Sequence, residues 1–189
     1  WKNLFGGGEL LLFDAVTGTK TLALYLLNYT TPILNNLRLM FENSIYMNTK
    51  QQDWLKTLAT VRGITLKVYS QYKKHNVDIS WENCWRILSN SGNSKAMEVM
   101  LQLGNDLKLS VLMNYRYDTR NSSHMPTSGS LLRVGLEYSY LQPSTYLKLV
   151  VESLIGRQVL PDHAFIASAK TGGIWSLSLL KTTHVLDRF

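Results

Sequence analysis

The residue types that most often carry catalysis or bind metals are sparse in this chain of 189 residues. The histidines, His75, His124, His163 and His184, all fall in or beside predicted turns, and none has the i, i+2 or His-Glu-x-x-His spacing of a metal site. Cys84 is alone, so it can form no internal disulfide. We therefore predict no catalytic residue, no metal site and no cofactor.

A run of three glycines, Gly6 to Gly8, is the other local pattern that could indicate a ligand site. No Gly-Lys-Ser/Thr follows it at the spacing of a phosphate-binding loop, and no helical pattern comes after it. The simpler interpretation is a flexible segment that leads into the first strand. A hydrolase would also need a serine, a histidine and a carboxylate that converge from neighbouring strands, and the register favours no such set.

One constellation combines charge with turn residues. Tyr117-Asp118-Thr119-Arg120 ends a predicted strand, and Pro126-Thr127-Ser128-Gly129 begins the next one. From the residue types alone this is a turn at a sheet rim, with proline and glycine as turn formers and an Asp/Arg contact at the strand end.

The elements that carry these residues are predicted to be strands, because apolar and polar residues alternate with a period of two over long segments. Between Asp106 and Asp118 every second residue is apolar or tyrosine, and Leu112 alone breaks the polar phase, which includes Arg116. The same alternation between Ser130 and Tyr140 places Glu137 on the polar phase.

Repeated along the chain, this pattern predicts eleven strands whose boundaries are uncertain by a few residues. They are Gly8 to Val16, Thr19 to Tyr29, Asn36 to Asn48, Thr57 to Tyr69, His75 to Ser89, Lys95 to Leu103, Asp106 to Asp118, Ser130 to Leu141, Ser144 to Ile155, Ala164 to Thr171, and Ile174 to Leu180. Short turns at Gly104-Asn105, Gln142 to Ser144 and Gly172-Gly173 alternate with longer links, which is typical of the two rims of a membrane barrel.

Composition and strand length favour a membrane over water. Hydrophobic residues make up 45% of the chain and charged residues 17%, yet no stretch approaches the roughly 20 apolar residues of a spanning helix. Most predicted strands reach the about 9 to 11 residues that a tilted strand needs to cross the hydrocarbon layer. Aromatic residues near strand ends fit the interfacial girdles of a barrel; they are Tyr69, Tyr115, Tyr117, Tyr138, Tyr140 and Trp175.

Charged residues of both signs follow the polar phase in almost every segment, as a wet lumen requires. An Arg or Lys on the lipid face at mid-depth would cost about 2 to 4 kcal/mol. The sequence therefore predicts an all-β, antiparallel transmembrane β-barrel, with a soluble sandwich as the weaker alternative. The net charge of +7 is spread among acidic residues and forms no stripe, which argues against nucleic acid.

Eleven strands are an odd number, and finished bacterial-type barrels have an even one. We therefore expect this chain to be part of a longer protein, with more strands after Phe189. No targeting signal is present in the sequence as given.

The chain resembles the barrel of the BamA superfamily of outer-membrane barrel insertases, in particular the core barrel subunits of the mitochondrial sorting and assembly machinery (SAM complex). The resemblance lies in the order and spacing of short motifs along nearly the whole chain. The motifs are Asn3 to Glu9, Gly18-Thr19-Lys20, the family signature Tyr117, Asp118, Arg120, Pro126 and Gly129, and Asp187-Arg188-Phe189. In that family Asp187 to Phe189 would precede an inward-folded loop after the eleventh of about sixteen strands.

This resemblance implies that residues 1–7 link a preceding POTRA domain to the N-terminal part of the barrel, 8–189. It implies insertion and folding of β-barrel precursors in the mitochondrial outer membrane, with no bond chemistry. The partners would be the precursors, the lipid bilayer and metaxin-like subunits of the SAM complex. The precursor's C-terminal strand would pair with the first strand at a lateral gate formed by Gly8, Glu9, Leu10, Leu11, Leu12, Phe13, Asp14, Ala15 and Val16.

Three other functions stay open on the sequence alone. A secretion or import pore of the same superfamily, in a bacterial or plastid outer membrane, would thread substrates past lumenal residues such as Arg116 and Glu137. A passive porin would conduct ions without affecting barrel assembly. A barrel enzyme is the least favoured, because no catalytic set is visible.

Overall fold

The computed structural model describes residues 1–3, 6–18, 21–34, 36–52, 57–90, 102–124, 126–140, 145–160, 163–177 and 187. Within them the chain forms one antiparallel sheet of nine strands, each paired with its neighbour in sequence. The strands are β1 Leu10–Val16, β2 Thr21–Ile33, β3 Asn36–Gln52, β4 Thr57–Tyr72, β5 His75–Asn90, β6 Gly104–Asp118, β7 Gly129–Ser139, β8 Tyr146–Leu160 and β9 His163–Ser176.

This meander confirms the predicted all-β, antiparallel fold. β2 to β9 have 11 to 17 residues each, so each is long enough to cross a bilayer as a tilted strand. Among the described residues no helix is long and apolar enough to cross a membrane.

The two faces of the sheet differ sharply in burial. On β5 the polar phase is buried, with Ser80, Cys84 and Arg86 at 7%, 3% and 3% exposure, while Ile79 and Trp85 on the apolar phase are 46% and 54% exposed. A flat sheet would expose both faces alike, so the polar side chains shield one another across a concave surface. We call this the inner face and the apolar one the outer face. The predicted sorting of charged residues inward, including Arg116 and Glu137, is confirmed.

The predicted hairpin at Gly172-Gly173 is wrong, since both glycines lie inside β9. They occur there because the strand is crowded: a Cβ at Gly172 would lie 2.7 Å from the Leu149 carbonyl oxygen, and one at Gly173 would lie 3.1 Å from the Trp175 ring. The predicted tenth and eleventh strands are therefore one. Glycine here indicates close packing, not a turn.

The predicted turn at Gly104-Asn105 is also wrong, because both residues begin β6. β5 and β6 are direct neighbours, with Leu88 opposite Gly104. The strand predicted at Lys95 to Leu103 lies outside the described residues, apart from its last two positions, which are not strand. The count of eleven is therefore replaced by nine in the described part of the chain.

Two smaller expectations fail as well. Tyr69 belongs to the inner face, opposite Asp78, so it is no part of an outer aromatic girdle. The alternation of short and long links is also different, because β8 continues to Leu160 and leaves only residues 161–162 before β9. Among the described residues, β4 and β5 are joined by a two-residue turn at Lys73-Lys74.

A glycine in mid-sheet allows an inner-face contact that skips a strand. Tyr46 of β3 lies directly opposite Gly63 of β4, and its hydroxyl donates a hydrogen bond of 2.5 Å to Glu82 of β5. A Cβ at Gly63 would lie 2.8 Å from the Tyr46 hydroxyl oxygen and 2.7 Å from Cβ of Cys84. Only glycine lets the tyrosine ring pass over β4, which draws β3 and β5 together on the concave side.

Gly63→Ala is expected to destabilise the protein by about 1 to 3 kcal/mol, because the added methyl group overpacks a rigid site and displaces Tyr46. Urea unfolding in detergent micelles, followed by tryptophan fluorescence, measures the loss. Gly135→Ala is the matched control, since its Cβ would lie 3.0 Å from the movable Asn114 side-chain oxygen and no closer than 4.0 Å to the Val150 carbonyl oxygen. Equal stability of the two variants would contradict this role of Gly63.

Candidate functional site

The first candidate site is the free edge of β1. Residues of β1 pair with β2 from Leu10↔Thr30 to Val16↔Leu24, and no other described strand pairs with β1. Backbone groups of a strand point alternately to its two sides. The N–H and C=O groups of Leu11 form hydrogen bonds on the side away from β2. The N–H and C=O groups of Phe13 and Ala15 therefore also point to the open side.

The beginning of this edge is covered by residues 1–3. The Leu11 N–H donates to the Trp1 carbonyl at 2.8 Å, and the Trp1 amino group donates to the Leu11 carbonyl at 2.8 Å. Lys2 forms a bridge with Leu10. The glycine run makes this return possible, because Gly6 and Gly8 have φ of +85° and +82°, values that favour glycine.

The predicted gate segment therefore has two parts. Gly8 and Glu9 precede the strand, and Glu9 is buried and accepts a hydrogen bond from the Gly7 N–H at 3.1 Å. β1 proper has only 7 residues, whereas β2 has 13. Six of those seven residues are exposed. β1 is thus the shortest and least buried strand that the structure describes, as weak closure at this edge requires.

The second candidate site is the loop at 119–128, which we call the rim loop, together with the strand ends that it joins. Asp118 accepts two hydrogen bonds from the Arg120 guanidinium, both at 2.9 Å, and one from Arg116 at 2.5 Å. Asn121 closes the loop, because its side-chain oxygen accepts from the N–H groups of Thr127 and Ser128 at 3.1 and 3.2 Å. The predicted Asp/Arg contact is therefore present.

The rim loop is fixed to the neighbouring strands through two glycines. Gly129 has a φ of +100°, and a Cβ there would lie 2.4 Å from the Thr119 carbonyl oxygen. Pro126 is buried, and its carbonyl oxygen would lie 2.9 Å from a Cβ at Gly156 of β8. Asp118, Arg120, Pro126 and Gly129 thus belong to one packed unit. Tyr117 packs instead on the ring of His75, with centroids 4.8 Å apart.

The third candidate site is an ionic network on the inner face of β5 to β8. Lys108 pairs with Glu137 at 2.5 Å and with Glu82 at 3.7 Å. Arg86 forms an ion pair with Asp106. Tyr146, which is fully buried, donates to Glu137 at 2.6 Å. The sequence predicted charges on this phase but not which of them meet.

Asp187 joins this network although it lies beyond the last described strand. Its carboxylate accepts two hydrogen bonds from Arg86, at 2.8 and 2.9 Å, and its carbonyl accepts one from Lys148 at 3.1 Å. Burial alone would raise the pKa of the Asp187 carboxyl, but the cations of Arg86 and Lys108 outweigh burial and lower that pKa below its usual value. No periodic signal in the sequence could have indicated this long-range contact.

Arg86→Met is expected to destabilise the protein by about 3 kcal/mol, because it leaves buried carboxylates without their cation. The side chains of Arg86 and Asp187 are both 4% exposed. Arg133→Met is the control, since the Arg133–Glu152 pair is 45% and 32% exposed and should contribute below about 1 kcal/mol. Urea unfolding in micelles measures both.

The double variant Arg86→Met/Asp187→Asn provides a second check. It should be less destabilised than the sum of its single variants by at least about 1 kcal/mol, since the two side chains interact directly. Simple additivity would show that Asp187 is not held by Arg86.

Known proteins are similar to this chain in sequence and in fold. The Omp85 superfamily domain matches residues 3–189. Sorting and assembly machinery component 50 homolog A of Xenopus laevis is 28% identical over 189 residues, which are 99% of this chain and 40% of that protein. The human homolog is 29% identical with the same coverage. A SAM50-like protein of Schizosaccharomyces pombe is 27% identical over 201 residues, 100% of this chain and 41% of its own.

The chain thus spans about two fifths of the length of these relatives. Its fold is similar to the crystal structure of BamA from Haemophilus ducreyi lacking POTRA domains 1–3, with a TM-score of 0.75 at 13% identity over 93% of this chain and 37% of that one. The nine-stranded sheet therefore has the fold of part of that barrel, and the resemblance seen in the sequence is confirmed. This chain belongs to the Omp85 superfamily.

Proposed function

We propose that this chain is the N-terminal part of a barrel that folds and inserts β-barrel precursors into the mitochondrial outer membrane. The observation that carries the proposal is the open edge of β1, where Phe13 and Ala15 present backbone groups without a described partner. The relatives named for the sorting and assembly machinery support this membrane and this substrate class. The function needs no cofactor and no bond chemistry.

The proposed mechanism follows from the cost of bare backbone in a membrane. In hydrocarbon an unpaired N–H or C=O group costs several kcal/mol, so an open edge pairs with any strand that can satisfy it. The C-terminal strand of a precursor would add antiparallel or parallel to β1 by backbone bonds alone, which explains tolerance of different side chains. Because residues 1–3 already cover Leu11, pairing would start at Phe13 and Ala15.

The rest of the chain would support this edge. Residues 1–7 would connect to a preceding POTRA domain, and 8–189 would form the first part of the barrel. The rim loop lies at the sheet end where β1 begins, so its packed surface would face that domain or metaxin-like subunits. The family signature Tyr117, Asp118, Arg120, Pro126 and Gly129 would then have a structural role at this rim.

Ala15→Pro is the sharpest test of the templating edge. Proline removes only the N–H that points to the open side, and an edge strand tolerates it, so the barrel should stay folded. Loss of one templating hydrogen bond of about 1 kcal/mol should slow precursor insertion about fivefold. Import of a labelled precursor into mitochondria that carry the variant measures the rate.

Two variants control this experiment. Ala15→Val keeps the N–H and should insert precursors at the unchanged rate. Asp14→Pro removes an N–H that faces Leu26 of β2 and should destabilise the β1–β2 pair itself. An unchanged insertion rate in Ala15→Pro would contradict templating at this edge.

Crosslinking separates this function from a secretion or import pore. Cysteines at Phe13 and Ala15 should crosslink to the C-terminal strand of an arrested precursor. Crosslinks from inner-face positions 116 and 137 to a translocating chain, without any from β1, would favour the pore instead.

A further inference from the structure

Arg62 is an exception to the sorting of charges. On β4, Val61 and Gly63 lie on the inner face, so Arg62 lies on the outer face. Its neighbours across the sheet are Met47 of β3 and Trp85 of β5. Its side chain is exposed, and no hydrogen bond or ion pair joins it to another described residue. A guanidinium next to hydrocarbon is strongly unfavourable, so this position calls for an anion that no described residue supplies.

Arg62 borders an apolar groove on the outer face of about 570 Å³. Asn83, one of its few other polar members, is diagonal to Arg62 across the β4–β5 pair. The apolar lining comes from strands β1 to β6; it includes Phe13, Tyr25, Leu27, Ile45, Ile64 and Leu107. A single cation within an otherwise largely apolar groove matches an amphiphile with one anionic group.

The depth of Arg62 fits a phosphate. On β3 the outward residues beyond Met47 are Thr49 and Gln51, and on β4 the next outward residue is Thr60, so on these two strands polar residues begin one outward position past Arg62. The same row carries Tyr25 and Trp85, both exposed. Tyrosine and tryptophan prefer the membrane–water interface, and a long Arg side chain reaches the headgroups from there.

The geometry points to a binding site for an anionic phospholipid at this groove, with the phosphate held by Arg62 and Asn83 and an acyl chain in the apolar channel. Arg is the side chain best suited to a phosphate, because its planar fork makes two parallel hydrogen bonds. Phe13 of β1 borders the groove, but the lipid site is centred on Arg62 of β4 and does not depend on the proposed function.

A lipid suits this surface better than a protein partner does. Around Arg62 the backbone of β3, β4 and β5 is paired on both sides in the sheet, so no strand can be templated there. The groove has the size of a site for one small molecule, whereas a stable protein interface covers about 800 Å² on each partner.

Native mass spectrometry of the whole protein, with its native flanking polypeptide, tests the site. The protein is titrated in detergent with equal amounts of phosphatidylglycerol and phosphatidylcholine that carry the same acyl chains. Wild type should retain phosphatidylglycerol preferentially. Arg62→Leu should lower the ratio of bound phosphatidylglycerol to phosphatidylcholine about fivefold. Arg62→Lys should lower this ratio less, because lysine keeps the positive charge but lacks the planar guanidinium.

Arg133→Leu on the inner face is the matched control and should keep the wild-type ratio. The proposal is overturned if wild type shows no preference, a result that needs no variant to fold, or if Arg62→Leu keeps the preference. An equal loss in Arg133→Leu would also overturn it, because the preference would then reflect net charge alone. Complete displacement of the lipid by inorganic phosphate would show that the acyl chain does not bind in the groove, which overturns the proposal. A photocrosslink from position 62 to a protein in place of lipid would also overturn it, because this surface would then bind a protein partner.

Discussion

Hydrocarbon offers no hydrogen-bond partner to a peptide group, and this constraint governs the whole molecule. Eight successive antiparallel pairings join β1 to β9, and central strands such as β5 place apolar side chains on an exposed face and polar side chains on a crowded one. The same constraint would favour strand addition at an open edge, and Phe13 and Ala15 present backbone groups that have no partner among the described residues. Scaffold and proposed activity thus follow from one rule.

The inner face shows how charges remain in such a sheet. Lys108 forms an ion pair with Glu137 of the neighbouring strand. The Tyr46 hydroxyl donates a hydrogen bond to Glu82 two strands away, over Gly63. Asp187 extends the network to a segment beyond β9. If one member of such a network is removed, its partners become buried charges without a counterion, which destabilises the fold. The network is therefore stabilising only when all its members are present.

Strand periodicity predicted the fold, the two faces and most strand boundaries, because a period of two is a local property that the bilayer enforces. The turns predicted at Gly104 and Gly172 were wrong, because the local sequence does not distinguish a glycine in a turn from a glycine within a strand. The Asp/Arg contact at the rim loop was predictable from turn chemistry. The cover of β1 by residues 1–3 and the Arg86–Asp187 pair depend on distant contacts that no local pattern encodes.

Spin labels at single cysteines along β6, in a Cys84→Ser background and in lipid bilayers, test the central claim most directly. Collision with oxygen, which concentrates in hydrocarbon, should be high at positions 107, 109, 111 and 113 and low at 108, 110, 114 and 116. Collision with a water-soluble nickel chelate should be low at the first set. The opposite phase, or no alternation, would contradict an outer face in lipid and an inner face that is charged.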